Sequence, residues 1–276
     1  MIDSAEAYGL KFLLPANDAA VGRCIRDYGE FARPEAVLIS QVLGQGAFVD
    51  VGANIGAIAL PVARAGNRVV AIEAHRQLAG LLAANALNNG LYNVEVHHAA
   101  VGARVGLADF PTMPIDAAVN LGTSGFHLVD QPFEAVRMTT LDAIAPAETT
   151  IVKIDVEGFE PQVLAGAANT LATVRPKWIV ETSRDDATSR SVIGTFRDAG
   201  YRLYWFFAPF VTPTSERVGP PDRLRGDINV FAVPSDHRQP REMTELAVAP
   251  TWPSELSDFP YLKRFGLGSG AAPTSD

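Results

Sequence analysis

The chain has 276 residues, 47% hydrophobic and 20% charged, enough to bury a full core as one large domain or one domain with appendages. Its 31 acidic and 23 basic residues leave a net charge of -8 and a pI near 5.2, which excludes the global positive field that draws nucleic acid. A single cysteine, Cys24, excludes an internal disulfide and a cysteine-based zinc site, and no apolar run reaches the roughly 18 residues of a membrane span.

Residues 1–46 read as a mainly helical cap. Its clearest helix spans 35–43, with Val37, Leu38, Val42 and Leu43 spaced along it and Gly44 and Gly46 ending it. No cationic start precedes the short apolar cluster at 12–15, so no signal peptide is expected and a cytoplasmic location is the default. The apolar run 47–51 is a strand that enters a glycine-rich turn, and a helix follows over 55–65, bent by Pro61. Strand 68–72, helix 76–88 with a stripe of Leu78, Leu81, Leu82 and Ala86, and strand 94–101 continue the alternation. Such alternation requires parallel strands covered on both faces, because each crossover is right-handed and packs back on the sheet. Residues 102–136 break the rhythm and predict a short hairpin plus a long loop across the sheet's C-terminal edge, a substrate lid. Order resumes with strand 150–155, helix 157–171, strand 177–181, helix 192–199 and an antiparallel pair of strands at 202–207 and 228–233. The expectation is an α/β, Rossmann-like domain over 47–235, with a mostly parallel seven-stranded sheet and helices on both faces. A tail, 236–276, is expected to pack peripherally and then fray.

The turn Asp50-Val-Gly-Ala-Asn-Ile-Gly56 carries the strongest chemical signal. Gly52 and Gly56 let backbone approach a ligand closely, and Glu73, at the end of the next strand, can accept hydrogen bonds from both hydroxyls of a ribose. A dinucleotide fingerprint needs glycine at its second position so that a pyrophosphate can press on the backbone. Here that position is Asn54, whose side chain would crowd a pyrophosphate. S-adenosylmethionine carries no phosphate and suits the turn better. Ala53 and Ala74 flank the same contacts, and Asp50 either sits near the ammonium of the cofactor or holds the loop from behind.

Four segments in order resemble the FkbM family of S-adenosylmethionine-dependent methyltransferases: Phe48-Val-Asp-Val-Gly-Ala-Asn-Ile-Gly56, Val70-Ala-Ile-Glu-Ala74, Ile151-Val-Lys-Ile-Asp-Val-Glu-Gly-Phe-Glu160 with Leu164-Ala-Gly-Ala167, and Ile179-Val-Glu181. The resemblance spans about residues 30 to 235, and the Lys-Ile-Asp-Val-Glu-Gly-Phe-Glu run is its most specific part. It implies a class I methyltransferase fold and, usually, methylation of a hydroxyl on a sugar, polyketide or other secondary metabolite, with carboxylates and other acceptors used by some relatives. One departure concerns the adenine. Many class I methyltransferases place Asp or Asn after the third strand, whereas Ala99-Ala100-Val101-Gly102 stands here, so backbone groups near Ala100 are expected to read the adenine amine.

Methyl transfer to a neutral alcohol needs in-line positioning and gains roughly 10²- to 10⁴-fold from a general base. Asp155 and Glu157 end a strand on the ligand side of the sheet, where they can act as base and orienting group, border the cofactor, or hold a divalent cation such as magnesium. Glu181 at the next strand end and His127 in the lid are further candidate bases. Glu160 reads as a helix-start carboxylate with a structural role. The expected partner is a small-molecule acceptor, a glycosylated one included. Nucleic acid and membrane are not expected partners, and a homodimer is left open. An NAD(P)-dependent oxidoreductase is opposed by Asn54 and by the lack of a Tyr-x-x-x-Lys pair. A non-catalytic nucleoside-binding domain is the other competing reading.

Overall fold

The computed structural model describes residues 1–115, 125–126, 132–182, 186–215, 217 and 224–268. The chain begins with an antiparallel hairpin, β1 (Ile2–Ala7) and β2 (Leu10–Pro15), followed by helices α1 (Val21–Tyr28) and α2 (Arg33–Leu43). The first fifteen residues are therefore extended where a helical cap is expected. Leu10, Phe12 and Leu14 are buried and Lys11 is exposed, a period of two that only a strand satisfies. Tyr8 and Gly9 make the turn with φ of 57° and 67°, the two left-handed residues of a type I′ hairpin.

The central sheet then assembles. Strand β3 (Ala47–Val51) leads through the glycine turn into the short helix α3 (Ala59–Ala63), followed by β4 (Val69–Glu73), α4 (Arg76–Asn88) and β5 (Val94–His98). Helix α3 starts later than 55–65 predicts, because the turn holds Asn54 at a φ of 51° and Gly56 at 91°. Pro61 thus falls in the first helical turn, where its missing N–H costs nothing. The predicted strand 94–101 divides into β5 and β6 (Ala100–Val101), which leaves the main sheet to join a small one with the hairpin β7 (Gly106–Pro111) and β8 (Phe133–Thr139). After α5 (Leu141–Ile144) come β9 (Thr149–Ile154), α6 (Glu160–Ala165), a π-helical turn at Thr170–Val174, β10 (Lys177–Glu181), α7 (Ala187–Asp198), β11 (Tyr201–Pro209) and β12 (Gly226–Pro234). The predicted helix 157–171 stops at Gly166, where a Cβ would stand 2.1 Å from the Gly102 carbonyl oxygen.

The seven strands lie in the order β11-β12-β10-β9-β3-β4-β5, with β12 antiparallel to both neighbours and the other pairings parallel. The last two strands pair antiparallel, as the sequence predicts. Helix α2 packs on β3, β9 and β11, and α4 covers β4 and β5. The tail is less peripheral than expected. Its residues 244–246 pair with the outer edge of β11 through Trp205 N–H to Thr244 O (2.9 Å) and Leu246 N–H to Leu203 O (2.8 Å), which removes an exposed sheet edge. Tyr261 is buried beside Phe206, and its hydroxyl donates to Phe207 O and accepts from Phe207 N, each at 2.6 Å. Among the described residues no helix is long and apolar enough to cross a membrane.

Asn85 of α4 joins the hairpin to the glycine turn. Its Oδ1 accepts from Leu13 N (2.6 Å), and its Nδ2 donates to Leu13 O and Ile55 O, both at 3.0 Å. It is fully buried, so Asn85→Leu strands three backbone groups. With about 1 to 3 kcal/mol for each buried group left unpaired, a loss of ~3 kcal/mol or more is expected in urea unfolding.

Candidate active site

One cavity opens at the C-terminal ends of the parallel strands, beside β3, where the strand order reverses between β4 on one side and β9 on the other. That reversal is where open α/β sheets bind ligands, because the loops from adjacent strand ends diverge there. Asp50, Gly52, Ala53, Asn54, Glu73, Ala74, Ala100, Asp155, Glu157 and Glu181 all line it. Gly56 instead packs behind the turn: a Cβ there would lie 2.6 Å from Leu82 and 2.8 Å from Leu60 side chains. His127 lies outside the described residues.

The half of the cavity over β3, β4 and β5 has a built acceptor. Glu73 is buried, and its two carboxylate oxygens accept from Asn54 N (2.8 Å) and His75 N (2.7 Å). Each oxygen keeps a second lone pair for another donor. Burial raises the Glu73 carboxyl to about 7 despite those two amides. His75 caps α4 through Nδ1, which accepts from Leu78 N, and its Nε2 contacts Met113 O at 3.0 Å, fixing the chain just beyond β7. Ala99, Ala100 and Val101 continue the wall, joined by Phe110, Phe126 and Phe159. Phe126 lies between the other two, edge-on to Phe110 at 5.2 Å and tilted against Phe159 at 4.4 Å between centroids. This aromatic wall is absent from the expected set, because its members come from three segments far apart in sequence.

The other half, over β9, β10 and β12, is acidic. Asp155, Glu157 and Glu181 bring carboxylate oxygens within 4.8 Å of one another, and Asp227 of β12 lines the same space. Glu157 sits at a φ of 52°, a left-handed conformation costly for a residue with a Cβ and often stored at functional turns. Glu160 accepts from Val156 N (3.2 Å) and Gly158 N (3.1 Å), so it holds that turn. The rim is apolar: Ala20, Val21 and the stacked pair Phe31 and Phe210, 5.1 Å apart. The N-terminal segment is tied to this rim through Ala32 N to Phe210 O (2.9 Å) and Tyr8 Oη to Phe31 O (2.7 Å).

Between the halves lies Lys153, only 5% exposed. Its Nζ stands 2.9 Å from Asp155 and 3.7 Å from Asp50. Asp50 and Lys153 are direct partners in the β3–β9 register, so their side chains leave the same face of the sheet. Asp50 is 1% exposed, and neither carboxylate oxygen has a hydrogen-bond partner among the described residues. Burial pushes the Asp50 carboxyl up to about 6, with Lys153 opposing the shift and Asp155 adding to it. Burial disfavours the Lys153 charge, but Asp155, Asp50 and Glu35 outweigh it and hold the ammonium above its ordinary range. Asp227 is raised well above a usual carboxylate, by burial first and then by Asp155 and Glu35.

Glu35, in the first turn of α2, is raised to about 8 by burial, against the pull of Lys153. A carboxyl whose folded value exceeds its ordinary 4.5 contributes stability below 4.5 that is lost as pH rises through about 8. Glu35→Gln is therefore expected to raise Tm at pH 8 to 9 and to leave it nearly unchanged at pH 5, read by thermal melts across that range. Glu35, Lys153 and Asp227 are absent from the expected site. A lysine within an otherwise apolar strand, Ile151-Val-Lys-Ile154, is the one signal that marks Lys153 beforehand.

The residues present fit S-adenosylmethionine. Glu73 can accept from ribose hydroxyls, and the Asp50 carboxylate, which has no hydrogen bond among the described residues, lines the same cavity. Residues 50–203, more than half of the chain, match the family model of the methyltransferase FkbM domain. Among solved structures, the methyltransferase FkbM from Methylobacillus flagellatus KT is 20% identical, with a TM-score of 0.42, covering 68% of this chain and 43% of its own. The present chain thus spans less than half the length of that protein. M. jannaschii TYW2 in complex with AdoMet is 14% identical, with a TM-score of 0.46 and 84% of each chain covered. An O-methyltransferase from Bacillus cereus in complex with SAH is 15% identical, with a TM-score of 0.43, covering 80% of this chain and 84% of its own. No curated protein matches the chain. The family match takes in the glycine turn, Glu73 and the Asp155–Glu181 strand ends that line the cavity, and the chain belongs to the FkbM methyltransferase family, on the class I methyltransferase fold.

Proposed function

We propose that the protein is an S-adenosylmethionine-dependent methyltransferase that methylates a hydroxyl on a sugar or secondary-metabolite small molecule. The observation that carries this reading is the division of one cavity into a half with the buried Glu73 acceptor and a half with convergent carboxylates. Bound there, the cofactor supplies an electrophilic methyl whose transfer turns a sulfonium into a neutral thioether. Glu73 holds the ribose, Asp50 faces the ammonium of the amino-acid end, and backbone at Ala99 to Val101 borders the adenine against Phe110, Phe126 and Phe159. The hydroxyl oxygen of the acceptor forms the new bond to carbon, and its proton passes to a carboxylate of the Asp155, Glu157 and Glu181 group. The stacked faces of Phe31 and Phe210 supply an apolar rim suited to a sugar ring or a small metabolite. Of the segment 102–136, expected as a lid, Phe110 and Phe126 border the cofactor half and residues 116–124 and 127–131 lie outside the described residues, while Ala20, Val21 and Phe31 of the N-terminal segment border the acceptor half.

A second reading rests on the 4.8 Å grouping of the same three carboxylates. They hold a divalent cation that lowers the hydroxyl's pKa instead of taking its proton directly. Four measurements test the proposal. S-adenosylhomocysteine is expected to bind more tightly than NAD, and tighter NAD binding overturns the cofactor assignment. Asp155→Asn is expected to lower kcat by about 10²- to 10⁴-fold with product affinity changed only a few-fold. Activity that survives EDTA favours the direct base, and activity lost to EDTA and restored by magnesium favours the cation. Binding without turnover across a panel of sugar and small-molecule hydroxyls overturns the enzymatic reading.

A further inference from the structure

Lys153 is the only cationic side chain among the described residues that line the cavity, and it lies at the boundary between its halves. Its charge reaches Asp155 at 2.9 Å and Asp50 at 3.7 Å, one carboxylate on each side. We propose that Lys153 is a positioning residue: one buried ammonium fixes the carboxylate that meets the cofactor's amino-acid end and the carboxylate beside the acceptor, so the two substrate sites are set together. This deepens the methyltransferase reading and rests on it.

The physical argument follows from what each group loses without its neighbour. A carboxylate as buried as Asp50, with no hydrogen-bond donor on either oxygen, stays ionised only beside a counter-charge. Lys153 is its register partner across two central strands, so backbone pairing sets the ammonium's origin and leaves little freedom to move away. The other charged groups facing the ammonium are all acidic: Glu35 from α2, Asp155 at the end of β9 and Asp227 from β12. No second cation near Lys153 replaces it among the described cavity residues. With the ammonium removed, Asp50 takes up a proton and can no longer receive an ammonium group, and Asp155 loses its anchor.

The test compares two probes on the purified protein: S-adenosylhomocysteine, which carries the amino-acid end, and 5′-methylthioadenosine, which lacks it. Lys153→Met is expected to weaken the first by about 10- to 100-fold, the range of a charge-assisted hydrogen bond, while the second changes less than about threefold. Wild-type affinity for S-adenosylhomocysteine follows Glu73, which also faces Asp50 and is raised to about 7, and is level from pH 8 to 9; in Lys153→Met it is expected still to climb over that range, because the Asp50 proton must first leave. Lys153→Arg, which keeps the charge, is expected to recover most of the loss. If Lys153→Met alone does not fold, Lys153→Met with Asp50→Asn removes both charges, and its affinity should equal that of Asp50→Asn by itself. Equal loss of both probes, a retained S-adenosylhomocysteine affinity with the pH dependence of the wild type, or a double variant weaker than Asp50→Asn overturns the assignment. Failure of the wild type to bind either probe overturns the methyltransferase reading instead.

Discussion

Glu73→Ala is expected to weaken S-adenosylhomocysteine binding by roughly 10²-fold or more at pH 8, with the fold retained. In the proposed reading the carboxylate accepts from both ribose hydroxyls, and two hydrogen bonds to a charged acceptor contribute about 1.5 to 3 kcal/mol each. The same oxygens hold Asn54 N at 2.8 Å and His75 N at 2.7 Å, so the substitution also frees the turn that carries the backbone toward the ligand. Glu73→Gln separates the two contributions. Its carbonyl keeps one acceptor, but its amide presents N–H to an N–H, so an intermediate loss is expected. The pH dependence has a defined sign. Burial raises the carboxyl to about 7, so below that value it is protonated and accepts fewer bonds, and affinity should rise from pH 6 to 8 in the wild type but not in Glu73→Ala. Calorimetry at three pH values reads both effects. An unchanged Kd, or the product bound elsewhere in a crystal, removes the cofactor assignment.

The parts of this architecture visible in the sequence are those encoded by short-range pattern. The 76–88 helix shows its apolar stripe and matches α4, and each central strand is an apolar run between turn residues. Asp50, Glu73, Asp155 and Glu181 could be placed in one cleft because all close or adjoin parallel strand ends, and parallel strands put those ends on one edge of the sheet. What stayed hidden depends on partners far along the chain. The hairpin at 2–15 hides because Tyr8 occupies a left-handed turn position usually held by Asn, Asp or Gly. The tail reads as loose from its prolines and serines, yet Tyr261 closes on Phe207 and residues 244–246 cover the β11 edge, contacts no local pattern announces. Glu35 and Asp227 lie 192 positions apart and meet only around Lys153, which itself reads in isolation as a misplaced charge in a strand. Cooperative charge is the least local of these properties, so the electrostatic centre of the cavity is what the sequence hides best.

Gly52→Ala is expected to cost roughly 3 to 5 kcal/mol of stability and to abolish S-adenosylhomocysteine binding, although it adds one methyl group. Two penalties combine. Gly52 has a φ of 85°, in the left-handed region where a Cβ costs about 1 to 2 kcal/mol. Its Cβ would also stand 1.8 Å from the Asp155 carbonyl oxygen and 2.9 Å from the carbonyl carbon, and both are backbone atoms with no rotamer to yield. Relief requires β3 and β9 to part at their C-terminal ends, where Asp155 N donates to Val51 O at 3.0 Å and where the two halves of the cavity meet. Gly66→Ala isolates the first penalty. Its φ of 92° is equally left-handed, but nothing lies within 4 Å of the added carbon, and it lies in the loop between α3 and β4. That variant should lose only about 1 to 2 kcal/mol and bind the product as the wild type does. Urea unfolding and calorimetry on the pair make the comparison. Equal losses in the two variants would show that backbone conformation alone accounts for Gly52, and that the close approach of β3 to Asp155 does not shape the cavity.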